Sequence, residues 1–579
     1  MAIIYWTNGA GGNFATPTNW RTDTVPGRLD QARINASGTY SVTTNASLVV
    51  LSLSTGAGAT FIVQGGANFG LLEGTGLGAN DGHIIIQGGS MFAGGTIDNK
   101  GTIQVNGDSQ LLLGQASLSL SGGGEVILAD ASNTKCDITT NVDNNISGAG
   151  TVSLSNNEKG GVINATGTSN PLVINTSDQT LINAGTLEDT GSGGLDLYGT
   201  IDGSSGGLIE ANGTLSNVDL NAVTLLGGTL ETSGGGAIQA TGSCTFDGIK
   251  ATVNNAATLS FVTAAFEGTI NNTGMIEVTD AINENGSLVI DPAGATFEGE
   301  GTISLSYSSI TGNAAGATLT NVNNTIYGFG VIGDTDDGGS NNTLTLINGS
   351  KGVIDGSSSA EPLVIDTGTN IVTNRGTLEA TTGGELYIAS RVTNSGTLIS
   401  ASGGDLVAAA AVNGGKAAIY GPGSIEFGAA SSAATTFALG STGELILDDA
   451  AQYTGTVSGF GKNITQSIDL SNVQFATASK TYSGGTLTVK DTAGDIAHIK
   501  LSGSYTLASF TLGDDGNGGT LITDPPVAKT THTTGVDIGL LGNYIASSLV
   551  GGGIGHGGSL SADASALVSP PLLVTPGHA

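Results

Sequence analysis

The segments FIVQGGANF (residues 61–69) and IIIQGGSMF (residues 84–92) match without a gap at an offset of 23 residues. Each begins with a short apolar run, turns at Gly-Gly and continues to another apolar position. A period of about 23 residues is typical of one coil of a β-solenoid and is too short for a propeller blade. The pair therefore predicts a chain that winds in stacked coils of β-strand.

A second motif marks corners between strands: Asn, any residue, Gly, Thr or Met, and then Ile or Leu. Asn and Gly tolerate a left-handed backbone and make tight corners, and the residues that follow favour a strand. Because Asn side chains stacked at equivalent corners can bond to one another, the motif also predicts a ladder of amide hydrogen bonds along the coil axis. It occurs at residues 99–103, 183–187, 272–276, 374–378 and 394–398.

A longer duplication lies on top of the short repeat. Residues 161–188 align with residues 352–379 at an offset of 191, and 13 of the 28 aligned positions are identical. That offset corresponds to roughly eight or nine coils of a solenoid. The chain therefore contains a large repeated unit built from smaller repeats.

Alternating apolar and polar residues, as in residues 102–105, indicate strands with one buried face. We therefore expect an all-β chain in which residues 36–451 form a right-handed parallel β-helix. At about 22 residues per coil and about 4.8 Å between strands, it would have roughly 18–19 coils and a length of roughly 90 Å. Residues 452–526 keep the strand pattern without the corner motif and predict a small C-terminal β region.

Composition excludes several classes of partner and location. The net charge is −32 with only 16 Lys and Arg, so we expect no nucleic-acid partner, because phosphate binding needs a cationic surface. The sequence contains no run of 18 apolar residues, so we expect no membrane-spanning helix. The first residues lack the pattern of a Sec signal peptide. The two cysteines, Cys136 and Cys244, are too few for a disulfide framework. A single bridge and two buried thiols are both compatible with the sequence.

The largest aromatic side chains are concentrated near the start of a chain that is only 5% aromatic. Both tryptophans, Trp6 and Trp20, lie in the first twenty residues, with Phe14 between them. Because the exposed end of a solenoid is an unpaired edge, we predict that residues 1–35 form a cap in which these rings cover the first coil. The alternative is an aromatic platform for a carbohydrate.

These corners and this opening stretch resemble known families. The Asn-x-Gly-Thr-Ile/Leu corners are similar to those of solenoid passengers of bacterial autotransporters and of filamentous-haemagglutinin-like adhesins, and segments like the one around Trp6, Phe14 and Trp20 often begin such solenoids. Residues 483–526 resemble a module near the C-terminus of large exported alphaproteobacterial surface proteins. The resemblance implies a bacterial cell-surface or extracellular protein, with type I secretion as its route, although the calcium-binding Gly-Gly-x-Gly-x-Asp nonapeptides are not repeated here.

Two acidic turns are candidate cation sites. Hard cations such as calcium bind several carboxylate and carbonyl oxygens, and Gly permits the tight loop that brings them together. Neither turn has EF-hand spacing, and the simpler interpretation is a solvated turn. The candidate ligands are Asp334, Asp336 and Asp337 in one turn and Asp514, Asp515 and Asn517 in the other.

The remaining carboxylates do not indicate catalysis. Glu188, Glu277 and Glu379 follow the corner motif in register with the repeat, whereas a catalytic pair should be unique. We therefore expect a non-catalytic structural protein that self-assembles as a filament, sheet or surface layer, partly through open strand edges at the ends of the rod. An adhesin that binds glycans is the alternative. A polysaccharide-degrading β-helix enzyme is a third reading, and the recurrence of the glutamates argues against it.

The last part of the sequence has a distinct composition. Pro525 and Pro526 precede a polar linker, and residues 536–550 then carry Ile538, Leu541, Ile545 and Leu549 at helix-like spacing. A disordered tail, a secretion signal and a segment that docks on a neighbouring copy are all compatible with residues 527–579.

Overall fold

The computed structural model describes residues 2–279, 286–333, 344–461 and 465–524. It is an all-β parallel solenoid of about 19 turns, with 58% of the residues in strands and 2% in helices. The parallel β-helix predicted from the sequence is confirmed. Its short helical turns are Pro17–Asn19, Ala450–Gln452, Phe475–Thr477 and Leu507–Ser509.

Successive coils stack their strands in three parallel ladders, which we call faces 1, 2 and 3 in the order in which the chain passes through them. Strands that lie only on face 1 are Ile3–Tyr5, Gln31–Ile34, Ser52–Thr55, Thr140–Asn141, Asn156–Asn157, Leu363–Asp366, Glu385–Ile388, Asp405–Ala408, Ser424–Phe427, Glu444–Leu447 and Ser467–Leu470.

Face 2 contains the strands that follow the first corner of each coil. They are Gly12–Asn13, Tyr40–Thr44, Ala59–Gln64, His83–Gln87, Thr102–Val105, Glu125–Leu128, Asn145–Gly148, Val162–Ala165, Thr186–Asp189, Leu208–Asn212, Gly228–Ser233, Thr318–Asn321, Thr345–Asn348, Val372–Asn374, Val392–Asn394 and Val412–Asn413.

Face 3 completes each coil. Its own strands are Leu48–Val50, Asn68–Leu71, Lys135–Asp137, Gly150–Ser153, Ala237–Thr241, Thr258–Phe261, Met275–Val278, Val353–Gly356, Thr377–Ala380, Thr397–Ala401, Lys416–Tyr420, Ala434–Phe437 and Thr456–Ser458. Longer strands bend around a corner and take part in two ladders. They are Ser90–Asp98, Gln110–Ser121, Leu172–Asn183, Leu195–Asp202, Asn217–Leu226, Cys244–Ala256, Thr263–Asn272, Gly286–Glu298, Thr302–Gly312 and Thr325–Gly333.

An apolar column fills the interior because alternate residues of each strand point inward. On face 2, for example, Leu187 pairs with Ile209 and Ile209 with Leu230 on the next coil, and none of the three is more than 2% exposed. Each coil therefore buries its apolar side chains on those of its neighbours. Stability in such an array is approximately a sum of contacts between adjacent coils.

The predicted asparagine ladder is confirmed. In its first run, Asn80 donates to Asn99 (2.6 Å between Nδ2 and Oδ1) and Asn157 donates to Asn183 (2.9 Å). The amides are buried, and a buried amide without a partner would cost about 1–3 kcal/mol. The second run contains the side-chain bonds Asn255–Asn272, Asn321–Asn348, Asn348–Asn374 and Asn374–Asn394, at 2.8–3.1 Å.

The two runs occupy different corners of the solenoid. Asn183 lies between a strand of face 1 and a strand of face 2, whereas Asn374 lies between faces 2 and 3. The duplicated units are rotated in the same way, since Val162–Ala165 is on face 2 and its counterpart Val353–Gly356 is on face 3. Eight coils and one further face therefore separate the two units.

Parallel stacking extends beyond residues 36–451 at both ends. Ile3–Tyr5 already pairs with Gln31–Ile34, and Ser467–Leu470 still pairs with Glu444–Leu447. At the C-terminal end the direction changes, because Thr520–Thr523 pairs antiparallel with Ser467–Leu470. The other strands of the predicted C-terminal β region are Ser479–Ser483, Thr486–Lys490, Ile496–Ser502 and Thr511–Asp514, and all of them take part in antiparallel pairs.

Candidate functional site

The three aromatic side chains of the N-terminal segment are enclosed. Trp6, Phe14 and Trp20 are 2%, 0% and 1% exposed. The ring centre of Trp20 lies 5.1 Å from that of Trp6 and 4.8 Å from that of Phe14. The ring of Phe14 also packs edge-to-face on the rings of Phe61 and Phe69. Such edge-to-face contacts stabilise aromatic clusters beyond their buried area. Because no ring face is open to solvent, these side chains cannot serve as a carbohydrate platform in this conformation.

The predicted cation sites have different outcomes. Asp334, Asp336 and Asp337 lie outside the described residues. The other cluster forms the turn between Thr511–Asp514 and Thr520–Thr523.

Backbone N–H groups donate hydrogen bonds to the carboxylates of that second turn. Asp514 Oδ1 accepts from Gly516 N at 2.9 Å, and Asp515 Oδ1 accepts from Asn517 N at 2.7 Å and Gly519 N at 2.9 Å. These bonds are those of an ordinary Asx-type turn. Within the ranges that the structure describes, no group of three or more His, Cys, Asp or Glu side chains is arranged to hold a metal ion. Calcium binding by Asp514, Asp515 and Asn517 stays a prediction.

The recurring glutamates lie at equivalent outward positions of their strands. Glu188 pairs with Glu210 and Glu210 with Glu231 on the next coil. Burial, and then the charge of Glu210, raises the pKa of Glu188, and burial followed by Asp355 raises the pKa of Glu379. Glu188 on face 2 and Glu379 on face 3 thus each stack on another carboxylate, which destabilises a sheet slightly, whereas Glu277 lies between two serines on face 3.

A denser group of carboxylates, which we call the acidic cluster, lies on face 1 near the C-terminal end. The register stacks Asp405 on Glu385 and places Glu444 two coils beyond Asp405. Glu426 lies two coils before Asp469 in a parallel column. The cluster comprises Glu385, Asp405, Glu426, Glu444, Asp448, Asp469 and Asp515.

Burial and the repulsion of neighbouring carboxylates favour the protonated forms of Asp469 and Glu426 in this cluster. The pKa of Asp469 is raised to about 7, first by burial and then by Glu444 and Asp515. Burial and the neighbouring Asp448 raise the pKa of Glu426. The Oδ1 atom of Asp469 is buried without a hydrogen-bond partner among the described residues. Glu385 and Asp405 are 20 residues apart and Asp405 and Glu444 are 39 residues apart in the sequence, which are spacings of one and two coils.

One open groove of about 330 Å³ lies on face 3 near the N-terminal end. Gly70 forms its floor, because it pairs with Val49 on one side and Phe92 on the other and has no side chain to fill the space between them. The apolar walls Val49, Phe92 and Leu113 are 39%, 36% and 40% exposed. Its lining is completed by Arg28, Asn68, Leu71, Leu72, Gly114 and Gln115. We call this feature the face 3 groove.

The two cysteines do not form a disulfide bond. Cys136 and Cys244 are both free and buried. Burial raises the pKa of the Cys136 thiol to about 12 and also raises that of Cys244. Both therefore remain protonated and unreactive at neutral pH, since the thiolate is the nucleophile.

Comparisons with known proteins give no relative. A search with this sequence finds no matching protein-family model, no similar curated protein and no similar solved structure. Among the described residues, no helix has the length and apolar character needed to cross a membrane.

Proposed function

We propose that this protein is a non-catalytic structural rod, exported from a bacterial cell, that self-assembles at the cell surface or in the extracellular matrix. The observation that carries the proposal is the stacking of about 19 turns on one apolar column. Such an array behaves as a long, stiff object in which each coil contacts only its neighbours. Its outward carboxylates recur along the faces, as expected of a scaffold.

The ends of the solenoid determine how such a rod could associate. At the C-terminal end, Ser467–Leu470 is covered by the antiparallel strand Thr520–Thr523. At the N-terminal end, the N–H of Arg21 bonds to the carbonyl of Tyr5, outside the first strand. Because a covered edge cannot pair with another strand, these two contacts disfavour strand-to-strand polymerisation at the strands that they cover. We propose association through side-chain contacts.

The surface location rests on the resemblance of the corner motif to autotransporter and haemagglutinin-like solenoids, and of residues 483–526 to exported alphaproteobacterial proteins. The net charge of −32 is compatible with it, since a strongly charged rod stays soluble until a specific contact forms. Secretion by a type I route is part of the same proposal.

Negative-stain electron microscopy of the purified full chain, first with calcium and then with a chelator, tests self-assembly. We expect regular filaments or sheets whose repeat reflects the length of the rod. Their loss in chelator would point to Asp334, Asp336 and Asp337 or to the turn at Asp514 as assembly sites. Single rods under every condition, at concentrations up to the millimolar range, would rule out the proposed function.

A second candidate function is glycan binding by an adhesin, and the face 3 groove is the observation that favours it. The exposed ring of Phe92 lies in the same groove as the Arg28 guanidinium and the amides of Asn68 and Gln115. Aromatic rings combined with a few polar groups are typical of small-ligand sites. Binding of the purified chain to immobilised acidic saccharides, lost in Phe92→Ala, would support this function.

A further inference from the structure

We propose that the face 3 groove binds residues 536–550 of a second copy of this chain and so joins rods head to tail. This inference rests on the proposed self-assembly and names the contact through which it occurs. It combines three observations: the apolar surface of the groove, the distance of the groove from Asp524, and the charge at its rim.

The groove presents apolar surface that the solenoid itself does not cover. Val49, Phe92 and Leu113 come from three different coils, and each leaves more than a third of its side chain exposed. A volume of about 330 Å³ is at the lower end of the range for ligand sites, about 300–1,000 Å³. It suits a few side chains of a peptide segment better than a folded domain.

The chain contains a segment of matching chemistry. Residues 536–550 read VDIGLLGNYIASSLV and include Ile538, Leu541, Ile545 and Leu549. Asp537 is the only charged residue among them. Apolar anchors at such spacing are the means by which peptide segments bind to hydrophobic grooves.

The start of residues 536–550 is too far from the groove of its own molecule to bind there. The groove lies in the first coils, whereas Asp524 follows the last coil of a solenoid of about 19 turns. With about 15 turns between them and about 4.8 Å per turn, the separation is about 70 Å. Residues 525–535 reach at most about 40 Å when fully extended, at about 3.6 Å per residue. The start of the segment, including Asp537, can therefore reach this groove only on another copy.

The charges at the contact are complementary. Arg28 is exposed at the rim of the groove, and the three ion pairs of the described residues all use lysines. A guanidinium is thus free to pair with Asp537 of the incoming segment. Since the donor segment and the groove are at opposite ends of the chain, the contact is heterologous and does not close. Repetition of such a contact generates a filament.

Photo-cross-linking of the full chain tests the contact directly. A benzophenone amino acid replaces Phe92 in ¹⁵N-labelled protein, which is mixed with unlabelled protein, irradiated, digested and analysed by mass spectrometry. We expect heavy–light cross-links from position 92 to residues 536–550. The matched control carries the same probe at Ile127, which is also 36% exposed but lies on face 2. We expect at least tenfold fewer cross-links to the segment there.

Substitutions test whether the contact drives assembly. Gly70→Val fills the floor of the groove, because its Cβ would lie 3.1 Å from Val49 Cγ2, and Val is favourable in a strand. We expect Gly70→Val and Phe92→Ser to raise the concentration needed for assembly at least tenfold, and Ile127→Ser to leave it unchanged. Arg28→Glu should weaken assembly, and the double variant Arg28→Glu/Asp537→Lys should restore it. Circular dichroism of each variant verifies folding.

The outcomes separate this inference from the proposed function. Filaments that persist in the groove variants, or cross-links from position 92 to other residues, would overturn the inference and leave self-assembly intact. Cross-links to an added acidic saccharide in place of the segment would also overturn it and would favour the adhesin. Absence of any assembly by the unmodified chain would overturn both.

Discussion

Replacing Asp469 by Asn is expected to stabilise the C-terminal end of the solenoid above pH 7 and to have little effect near pH 4. Asp469 is stacked two coils above Glu426 and interacts with the charges of Glu444, Asp448 and Asp515. One of its carboxylate oxygens has no hydrogen-bond partner within the described ranges. Burial and these charges raise the pKa of its carboxyl from 3.8 to about 7. The stability contributed by the protonated form is therefore complete below about pH 4 and is lost as the pH rises through 7.

The size of the effect follows from the same pKa. A tenfold change in an acid dissociation constant corresponds to about 1.4 kcal/mol. The rise in the pKa of Asp469 from 3.8 to about 7 therefore sets an upper limit of about 4 kcal/mol on the loss of stability. Because the Asp469 side chain is half-buried and solvent screens its interactions, we expect about 1–2 kcal/mol in practice. The stabilisation should be local, since coils of a solenoid unfold in partly independent units.

Hydrogen exchange of the full chain, read by mass spectrometry, measures this difference. At pH 8 the amides of Ser467–Leu470 and Thr520–Thr523 should exchange about 5–30 times more slowly in Asp469→Asn than in the unmodified protein. The control Asp178→Asn removes one exposed carboxylate on a distant coil and should not alter these amides. Equal or faster exchange in Asp469→Asn at pH 8 would refute the argument that repulsion and burial strain this cluster.

Three further substitutions test other parts of the fold. Asn348→Ala should lower the free energy of unfolding of the neighbouring coils by about 2–3 kcal/mol in a denaturant titration, because it leaves buried amides unpaired. The control Asn413→Ala, at an exposed position, should lower it by under about 0.5 kcal/mol. Equal losses in the two variants would contradict the stabilising role of the ladder. Trp20→Ala should destabilise the first coils by about 3–5 kcal/mol in thermal unfolding, and an unchanged midpoint would contradict its packing role. Asp130→Ala should accelerate proteolysis at residues 168–170, whose backbone N–H groups bond to its carboxylate. The side-chain amide of Asn170, and then these backbone bonds, lower the pKa of Asp130, so the unmodified loop should stay protected at pH 4.

The coil architecture could be predicted because its signals are local. The match of residues 61–69 with residues 84–92 places two Gly-Gly turns on adjacent coils, and the structure pairs Phe61 directly with Ile84. The Asn-x-Gly motif likewise identifies the position of a corner from a few residues. Asn374 and Asn394, which both belong to this motif, are hydrogen-bonded to each other as predicted. Both signals depend on φ/ψ preferences and side-chain alternation within a few residues. They need no knowledge of the rest of the chain.

The candidate sites could not be predicted because they depend on which face each strand occupies. The repeated unit returns after eight coils and one further face, so sequence similarity does not identify positions that share a face. The face 3 groove exists only because Gly70 stacks between Val49 and Phe92, and a register one residue different would turn the side chains of Val49 and Phe92 inward. Coil lengths that vary along the chain shift this phase cumulatively. A repeat protein of this kind thus specifies its fold coil by coil, whereas its binding surfaces are specified by the sum of all coil lengths.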